Sequence, residues 1–596
     1  MDMYGFYTGK LFDAYEYLGC HVTENGSVFR VFAPAALKVS VIGDFNNWTE
    51  TEMGKIYDGN FWECEVPNAR EGMRYKYRIY RQDGRFIDHC DPYGYGMELR
   101  PQTGSVIRNL LTYQFHDDKW LNSRTDCKDK PLNIYELHMG SWRANKEDEN
   151  GWYRYQVFAD KIIPYVKEQG YNYIELLPVS EHPCDNSWGY QNTGFYSPTS
   201  RYGTMDELKE FIDKCHQNNI GVILDFVPVH FAVDDYALAS FDGTPLYEYP
   251  HTDVGDSEWG SKNFNHSRGE VQSFLQSNAN YWIKEYHFDG LRIDAISNIL
   301  YWQGNPDRGE NLNAIEFIRN MNKGLKERYP SAILVAEDST AYPMVTGSVE
   351  KGGLGFDYKW DMGWMNDTLS FMRQSPANRT VEYHKLTFSM MYYYSEKFIM
   401  PLSHDEVVHG KATILQKMNG EYEEKFPQAR ALYMYMYAHP GKKLNFMGNE
   451  FAQLREWDEK REQDWDILSY PAHDAFHRFM RELNRIYLEY PALSKLDYEK
   501  NGFQWLDCHQ EEKCIYTFMR TDGKQAIVAV FNFSDKRCIY RMTAGKICRL
   551  RLLLASDNEQ YGGDVQYGSE TVYTVKANTF LLPMGCFSAK FFLAEK

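Results

Sequence analysis

Apolar positions along this chain change their period twice. Between about residues 20 and 108 they fall in short alternating runs separated by polar turns. Val28-Phe29-Arg30-Val31-Phe32, Lys38-Val39-Ser40-Val41-Ile42 and Arg74-Tyr75-Lys76-Tyr77-Arg78-Ile79-Tyr80 are examples. A period of two sends successive side chains to opposite faces, which predicts a small β-sandwich. After about Pro491 the strand texture returns, with a hairpin turn predicted at Asp522-Gly523 between 514–520 and 525–533.

The middle of the chain is different. Apolar runs at 133–137, 173–178, 221–227, 290–295, 333–337, 356–360, 398–403 and 443–447 are separated by segments of helical period. Thr204-Met205-Asp206-Glu207 reads as a capping box. The helix it opens places Leu208, Phe211, Ile212 and Cys215 on one face. Val271, Phe274 and Leu275 begin the same pattern later. Pro164 must either kink the helix after the first run or start a later turn. Repeated strand and helix of this kind predicts an α/β fold, a (β/α)8 TIM barrel. The expected division is a β-sandwich module at 1–115, the barrel at 116–490 and an all-β domain at 491–596.

Composition narrows the partners. The net charge of −18 argues against nucleic acid, which needs a concentrated basic surface, and no Lys/Arg run supplies one. No apolar window reaches membrane-spanning length, and Met1-Asp2-Met3-Tyr4-Gly5 does not begin a secretory signal. Eleven scattered cysteines without a Cys-x-x-Cys pair are expected to be buried reduced thiols, so the chain is expected to be soluble and cytoplasmic. Aromatics are high at 16%; core and surface packing explains most of them, while a surplus in loops would suit ligands with flat apolar faces, such as sugar rings.

Barrel enzymes carry their chemistry at the C-terminal ends of the strands. The third run ends Leu224-Asp225-Phe226-Val227-Pro228-Val229-His230 and the fourth Leu291-Arg292-Ile293-Asp294. The fifth ends Val335-Ala336-Glu337-Asp338 and the seventh Leu402-Ser403-His404-Asp405. Caps for the following helices would explain one or two such acids, but four on one rim point to a site. Alternation puts Arg292 and Asp294 on one side, and a guanidinium beside a carboxylate favours the ionised form that a nucleophile needs. Glu337 emerges from an apolar wall, where burial raises a carboxyl toward the range of a general acid. Carboxyls on adjacent strand ends lie about 5–5.5 Å apart when glycoside cleavage proceeds with retention. Asp405 would then restrain the sugar or stabilise its positive charge, with His230 and His404 bonding ring hydroxyls.

These residues stand in recognisable surroundings. Segments 222–231, 290–301, 335–340 and Pro401-Leu402-Ser403-His404-Asp405-Glu406-Val407-Val408-His409-Gly410-Lys411 resemble the α-amylase superfamily. Tyr135-Glu136-Leu137-His138-Met139-Gly140-Ser141-Trp142, Ser187-Trp188-Gly189-Tyr190-Gln191 and Met447-Gly448-Asn449-Glu450-Phe451 narrow this to its bacterial 1,4-α-glucan branching subgroup. Gly43-Asp44-Phe45-Asn46-Asn47-Trp48 is similar to part of the family's glucan-binding module. The resemblance implies Asp294 as nucleophile, Glu337 as acid/base and Asp405 as transition-state stabiliser. It implies that Tyr190, Asp225, His230, Arg292 and His404 hold the cleaved glucose, with Tyr190 stacked on its ring. Asp338 replaces the family's usual second Glu, Val229 a common Gly, and the 302–309 loop is shorter than usual.

The resemblance implies transfer of an α-1,4-glucan chain to a 6-hydroxyl. A hydrolase would use the same carboxylates and release the chain to water. A silent glucan-binding scaffold would be expected to lack one of the three acids, and none is missing. The expected partner is an α-glucan, acted on by a monomer with no cofactor and no metal.

Overall fold

In the computed structural model, which describes residues 1–568 and 570–595, eight parallel strands close into a barrel. They are β1 (Asn133–Leu137), β2 (Tyr173–Leu176), β3 (Gly221–Phe226), β4 (Gly290–Ile293), β5 (Ile333–Ala336), β6 (Tyr358–Trp360), β7 (Phe398–Leu402) and β8 (Lys442–Phe446). Seven of the predicted runs contain one of them, and the eighth overlaps β8, which starts one residue earlier. β1 closes the ring by pairing with both β2 and β8.

The apolar runs are continuous because both strand faces are buried. One parity points inward: Ile134, Tyr173, Ile223, Val335, Tyr358, Trp360, Ile399 and Leu444 share a core inside the barrel. The other parity, including Leu176, Leu224, Leu291, Leu334 and Leu402, packs against the surrounding helices. One step further along the inward parity, the apolar filling gives way to Glu136, Glu175, Asp225 and Arg292, all buried. The site is therefore built on a dry, rigid floor.

Helices Tyr155–Gln169, Met205–Gln217, Gly269–Tyr286 and Leu312–Arg328 follow the first four strands. Pro164 lies inside the first, so that helix neither ends before it nor starts after it. The Thr204 N–H donates to Glu207 at 3.2 Å, the backward arm of the predicted capping box. Between β5 and β6 the described residues form no α-helix, only a 3-10 turn at Val349–Lys351. The expected alternation breaks there, and a Cβ on Gly353 would come within 2.3 Å of the Gly347 carbonyl, so the loop folds tightly on itself. Met362–Arg373, Tyr422–Ala438 and Pro471–Glu489 follow the last three strands.

The N-terminal segment forms two antiparallel sheets. One joins Gly19–Val22, Gly26–Phe32, Phe61–Pro67 and Gly54–Ile56; the other centres on Lys38–Gly43 and Arg74–Tyr80. Tyr75, Tyr77 and Ile79 face inward, as their alternation predicts. The C-terminal region is a six-stranded sheet with a two-stranded companion. Its Ile515–Thr521 and Ala526–Asn532 form the predicted hairpin, with Gly523 at φ +89 in the turn. Asp497, fully buried, bonds Lys442 of β8 at 3.0 Å and Arg520 of that hairpin at 2.6 Å, joining barrel and β-domain.

No helix among the described residues is long and apolar enough to cross a membrane. All eleven cysteines are unpaired. Only Cys20, Cys90, Cys215 and Cys514 are buried, so the expectation of uniformly buried thiols is corrected. Cys64, Cys127, Cys508, Cys538 and Cys586 are partly buried, and Cys184 and Cys548 are exposed, on strands with a solvent face and in loops.

Candidate active site

Arg292 is the hub. It is the Cα partner of Asp225 on β3 and of Val335 on β5. Its Nη1 donates to both oxygens of Asp225, at 2.7 and 2.8 Å, and to Asp294 Oδ1 at 2.8 Å. Its Nη2 lies 3.7 Å from Glu337 Oε2. The guanidinium sits over the Trp360 ring, 4.4 Å from the centroid. A planar, permanently charged fork can face three carboxylates at once; an ammonium cannot keep this geometry.

Asp294 and Glu337 follow directly on Ile293 and Ala336, which are register partners in β4 and β5. Both strands end one or two residues before the predicted runs do, because the chain turns at the site. Ala295 takes a left-handed conformation, φ +47. This costs a non-glycine residue roughly 1–2 kcal/mol. It aims the Ala295 N–H at Glu337 Oε2, 2.7 Å away, and the Ile296 N–H at the Glu337 carbonyl, 2.9 Å away.

Burial pushes both carboxyls up to about 7, against the pull of Arg292. Arg292 favours the ionised form of Asp294, as its placement predicts, but desolvation outweighs that pull. The charge of Asp294 raises Glu337 further, and Arg292 bonds Asp294 more closely than Glu337. Asp294 is thus the first of the two to ionise, leaving the proton on Glu337.

The rest of the rim closes over this pair. Tyr190 donates its hydroxyl to Asp225 and lies nearly parallel to the His404 ring, with centroids 5.8 Å apart. His404 Nε2 is 3.4 Å from the Tyr190 hydroxyl and 3.9 Å from Asp405 Oδ1. The Asp405 side chain is 51% exposed, the most open of the three acids. Burial would raise its carboxyl, but His404, Lys411, Arg292 and His409 outweigh this and hold it below the usual value. His230 stands apart from the network. Its buried Nδ1 has no partner among the described residues, and its ring packs 5.1 Å from that of Trp259. Burial lowers His230 to about 4, so it is neutral near pH 7.

Asp338, a departure from the family pattern, accepts from Lys359 at 2.8 Å and from the Thr340 N–H at 2.9 Å. It fixes the backbone just past Glu337. The 302–309 loop is two 3-10 turns closed by a bridge between Tyr301 and Glu310. Among the described residues no group of three or more His, Cys, Asp or Glu is placed to hold a metal.

Sequence reasoning passed over several neighbours. Glu136 bonds His404, and Glu175 is its register partner on β2. Their signal was a charged residue at the inward parity of an otherwise apolar strand. Trp188 and Trp457, with ring centroids 4.7 Å apart, wall one side beside His404.

Comparison with known proteins bears on the fold and the family. Residues 17–94 match the carbohydrate-binding module 48 (isoamylase N-terminal domain) family. Residues 143–242 match the alpha amylase catalytic domain, and 505–590 the alpha amylase C-terminal all-beta domain. In solved structures, a pullulanase from Bacillus acidopullulyticus superposes with a TM-score of 0.75 at 17% identity, covering 97% of this chain and 74% of that one. A pullulanase from Anoxybacillus sp. LM18-11, complexed with maltotetraose, gives 0.74 at 17%, covering 98% and 89%. At that identity they establish the fold. The curated relatives are much nearer. The 1,4-alpha-glucan branching enzyme GlgB of Fusobacterium nucleatum is 45% identical, over 95% of this chain and 93% of its own length. That of Halothermothrix orenii is 46% identical over 96% and 94%, and that of Bacillus subtilis 44% over 96% and 93%. With this identity along nearly the whole of both chains, and an α-amylase-type barrel bearing its acids on one rim, the chain belongs to the bacterial 1,4-alpha-glucan branching enzyme family.

Proposed function

We propose that the branching reaction of this chain is carried by Asp294 as nucleophile and Glu337 as acid/base. Asp294 attacks the anomeric carbon of an α-1,4-linked glucose while Glu337 gives its proton to the departing 4-oxygen. The shortened glucan leaves, and the transferred chain is held as an ester on Asp294. Glu337, now anionic, takes the proton of an acceptor 6-hydroxyl as that oxygen displaces the ester. Two inversions leave the new α-1,6 bond with the original configuration. The observation that carries this reading is the contact of Arg292 with Asp225 and Asp294 and its approach to Glu337 on neighbouring strand ends.

Asp405, open and ionised, is placed in this reading to stabilise positive charge on the sugar ring. Tyr190, Asp225, His230, Arg292 and His404 hold the glucose being cleaved. His230 is included for its place at the rim; its buried Nδ1 makes no bond to the rest of the network among the described residues. The partner is an α-glucan. We further assign a monomer acting in the cytoplasm, without nucleic acid or membrane partners; the unpaired thiols and the charge of −18 support this. Division of the chain at 115/116 and 490/491 remains our working partition.

Amylose incubated with the protein should lose iodine colour with little gain in reducing ends, while α-1,6 linkages rise. A gain in reducing ends matching the colour loss would assign it to hydrolysis. Transfer over water requires that an acceptor hydroxyl be held at high effective concentration.

A further inference from the structure

Glu136 lies on the inward parity of β1, fully buried. Its Oε1 is 2.6 Å from His404 Nδ1, and its Oε2 accepts from the His404 backbone N–H at 2.9 Å. His404 follows the end of β7, and β8 stands between β7 and β1 in the barrel. One carboxylate thus reaches past a strand to hold both the ring and the main chain of the same histidine. The opposite ring nitrogen, Nε2, is left facing Tyr190 and Asp405 across the space assigned above to the cleaved glucose.

We propose that Glu136 is a positioning residue for the transfer reaction, holding His404 as an oriented imidazolium whose Nε2–H is presented to the sugar beside Asp405. The proposal rests on the reading of His404 as a glucose contact.

The surroundings explain why Glu136 can do this. Its register partner Glu175 is also fully buried, and neither Glu175 oxygen has a partner among the described residues. Two adjacent buried carboxylates would repel strongly. Burial and the charge of Glu136 raise Glu175 well above the usual range, so Glu175 keeps its proton. Burial of His404 would lower its pKa, but the charge and hydrogen bond of Glu136 lift it to about 9. Asp405 raises it and Arg292 lowers it. Asp225, Asp294, Tyr190 and His138 also face this position. Rings of Trp188, Trp457 and Phe446 close the remaining sides.

A buried Glu–His pair could instead serve only the fold, so the test needs readouts that packing would not move. In protein labelled with ¹⁵N-histidine, the His404 signals are identified by their loss in His404→Asn. At pH 7.5 both ring nitrogens of His404 are expected to be protonated in the unaltered protein and only one in Glu136→Gln. Glu136→Gln should lower kcat by about 10–100-fold, the size of loss seen when the carboxylate behind a metal-bound histidine is removed. Combined with His404→Asn it should cost little more than His404→Asn alone. A neutral His404 at pH 7.5 in the unaltered protein would overturn the proposal, and this holds even if Glu136→Gln fails to fold. Fully multiplicative losses, or a normal Glu136→Gln beside a crippled His404→Asn, would overturn it while leaving the glucose contact intact. A His404→Asn enzyme of near-normal rate would remove the contact itself and the proposal with it.

Discussion

The backbone N–H of Ala295 donates to Glu337 Oε2 at 2.7 Å from a left-handed conformation, φ +47. A residue beside the proposed nucleophile thereby orients the carboxyl of the proposed acid/base on the neighbouring strand. Glycine adopts this conformation freely, whereas a β-branched residue does not. Ala295→Gly should keep activity within a few-fold of normal. Ala295→Val should lower kcat by 10-fold or more, on the order of the 1–2 kcal/mol at stake in this conformation. Steady-state kinetics of the two variants checks this; equal loss in both would show that conformation is not the requirement.

Arg292→Lys keeps the charge but loses the fork. A single ammonium cannot reproduce the bonds to both Asp225 oxygens and to Asp294 together with the approach to Glu337. The expected outcome is a loss in kcat of at least about 100-fold with a smaller change in KM, because the interactions that would be lost matter most as charge develops. A change confined to KM would contradict this.

The raised carboxyls have a consequence for stability. Glu337 has a folded-state pKa of about 7, above its unfolded value. Its protonated form is therefore favoured in the fold, and that contribution is complete below the unfolded pKa and lost as pH rises through about 7. Glu337→Gln stays neutral throughout. It should be as stable as the unaltered protein near pH 4.5 and more stable at pH 8, by up to about 3 kcal/mol. Urea unfolding at the two values measures the difference. Activity should instead pass through a maximum, falling above about pH 7 as Glu337 loses its proton and below it as Asp294 gains one.

Much of this fold was legible along the chain. The barrel strands are buried on both faces, so each reads as an apolar run, and the acids that end them stand out. The break between β5 and β6 was missed, because the repeating pattern implied a helix although Pro343, Gly347, Gly352, Gly353 and Gly355 make 338–355 a poor one. The contacts within the site were not legible. Glu136 and His404 are 268 residues apart and meet across β8. Nothing local to Ala295 marks it as left-handed; that conformation is imposed by the rim. Nor could residue order reveal that burial outweighs Arg292 at Asp294, since desolvation depends on every element packed around the carboxyl.

Asp497 tests the junction of barrel and β-domain. It is fully buried between Lys442 and Arg520. Removing one member of a buried ion cluster strands the others, at a typical cost of about 3–5 kcal/mol. Asp497→Ala should lower the unfolding midpoint substantially while leaving kcat of the folded enzyme unchanged at low temperature. Loss of kcat without loss of stability would place Asp497 in the chemistry instead.

The central claim is that the transferred chain rests on Asp294. A maltosyl fluoride has a leaving group that needs little acid assistance, whereas release of the ester to an acceptor needs a base. Glu337→Gln treated with such a fluoride and then acid-quenched should accumulate the intermediate. Mass spectrometry of the digested protein is expected to find one maltosyl group on the peptide containing Asp294, absent when Asp294→Ala is added. A stable adduct on any other carboxylate, or turnover to product with no adduct on Asp294 detectable at any time, would contradict the account.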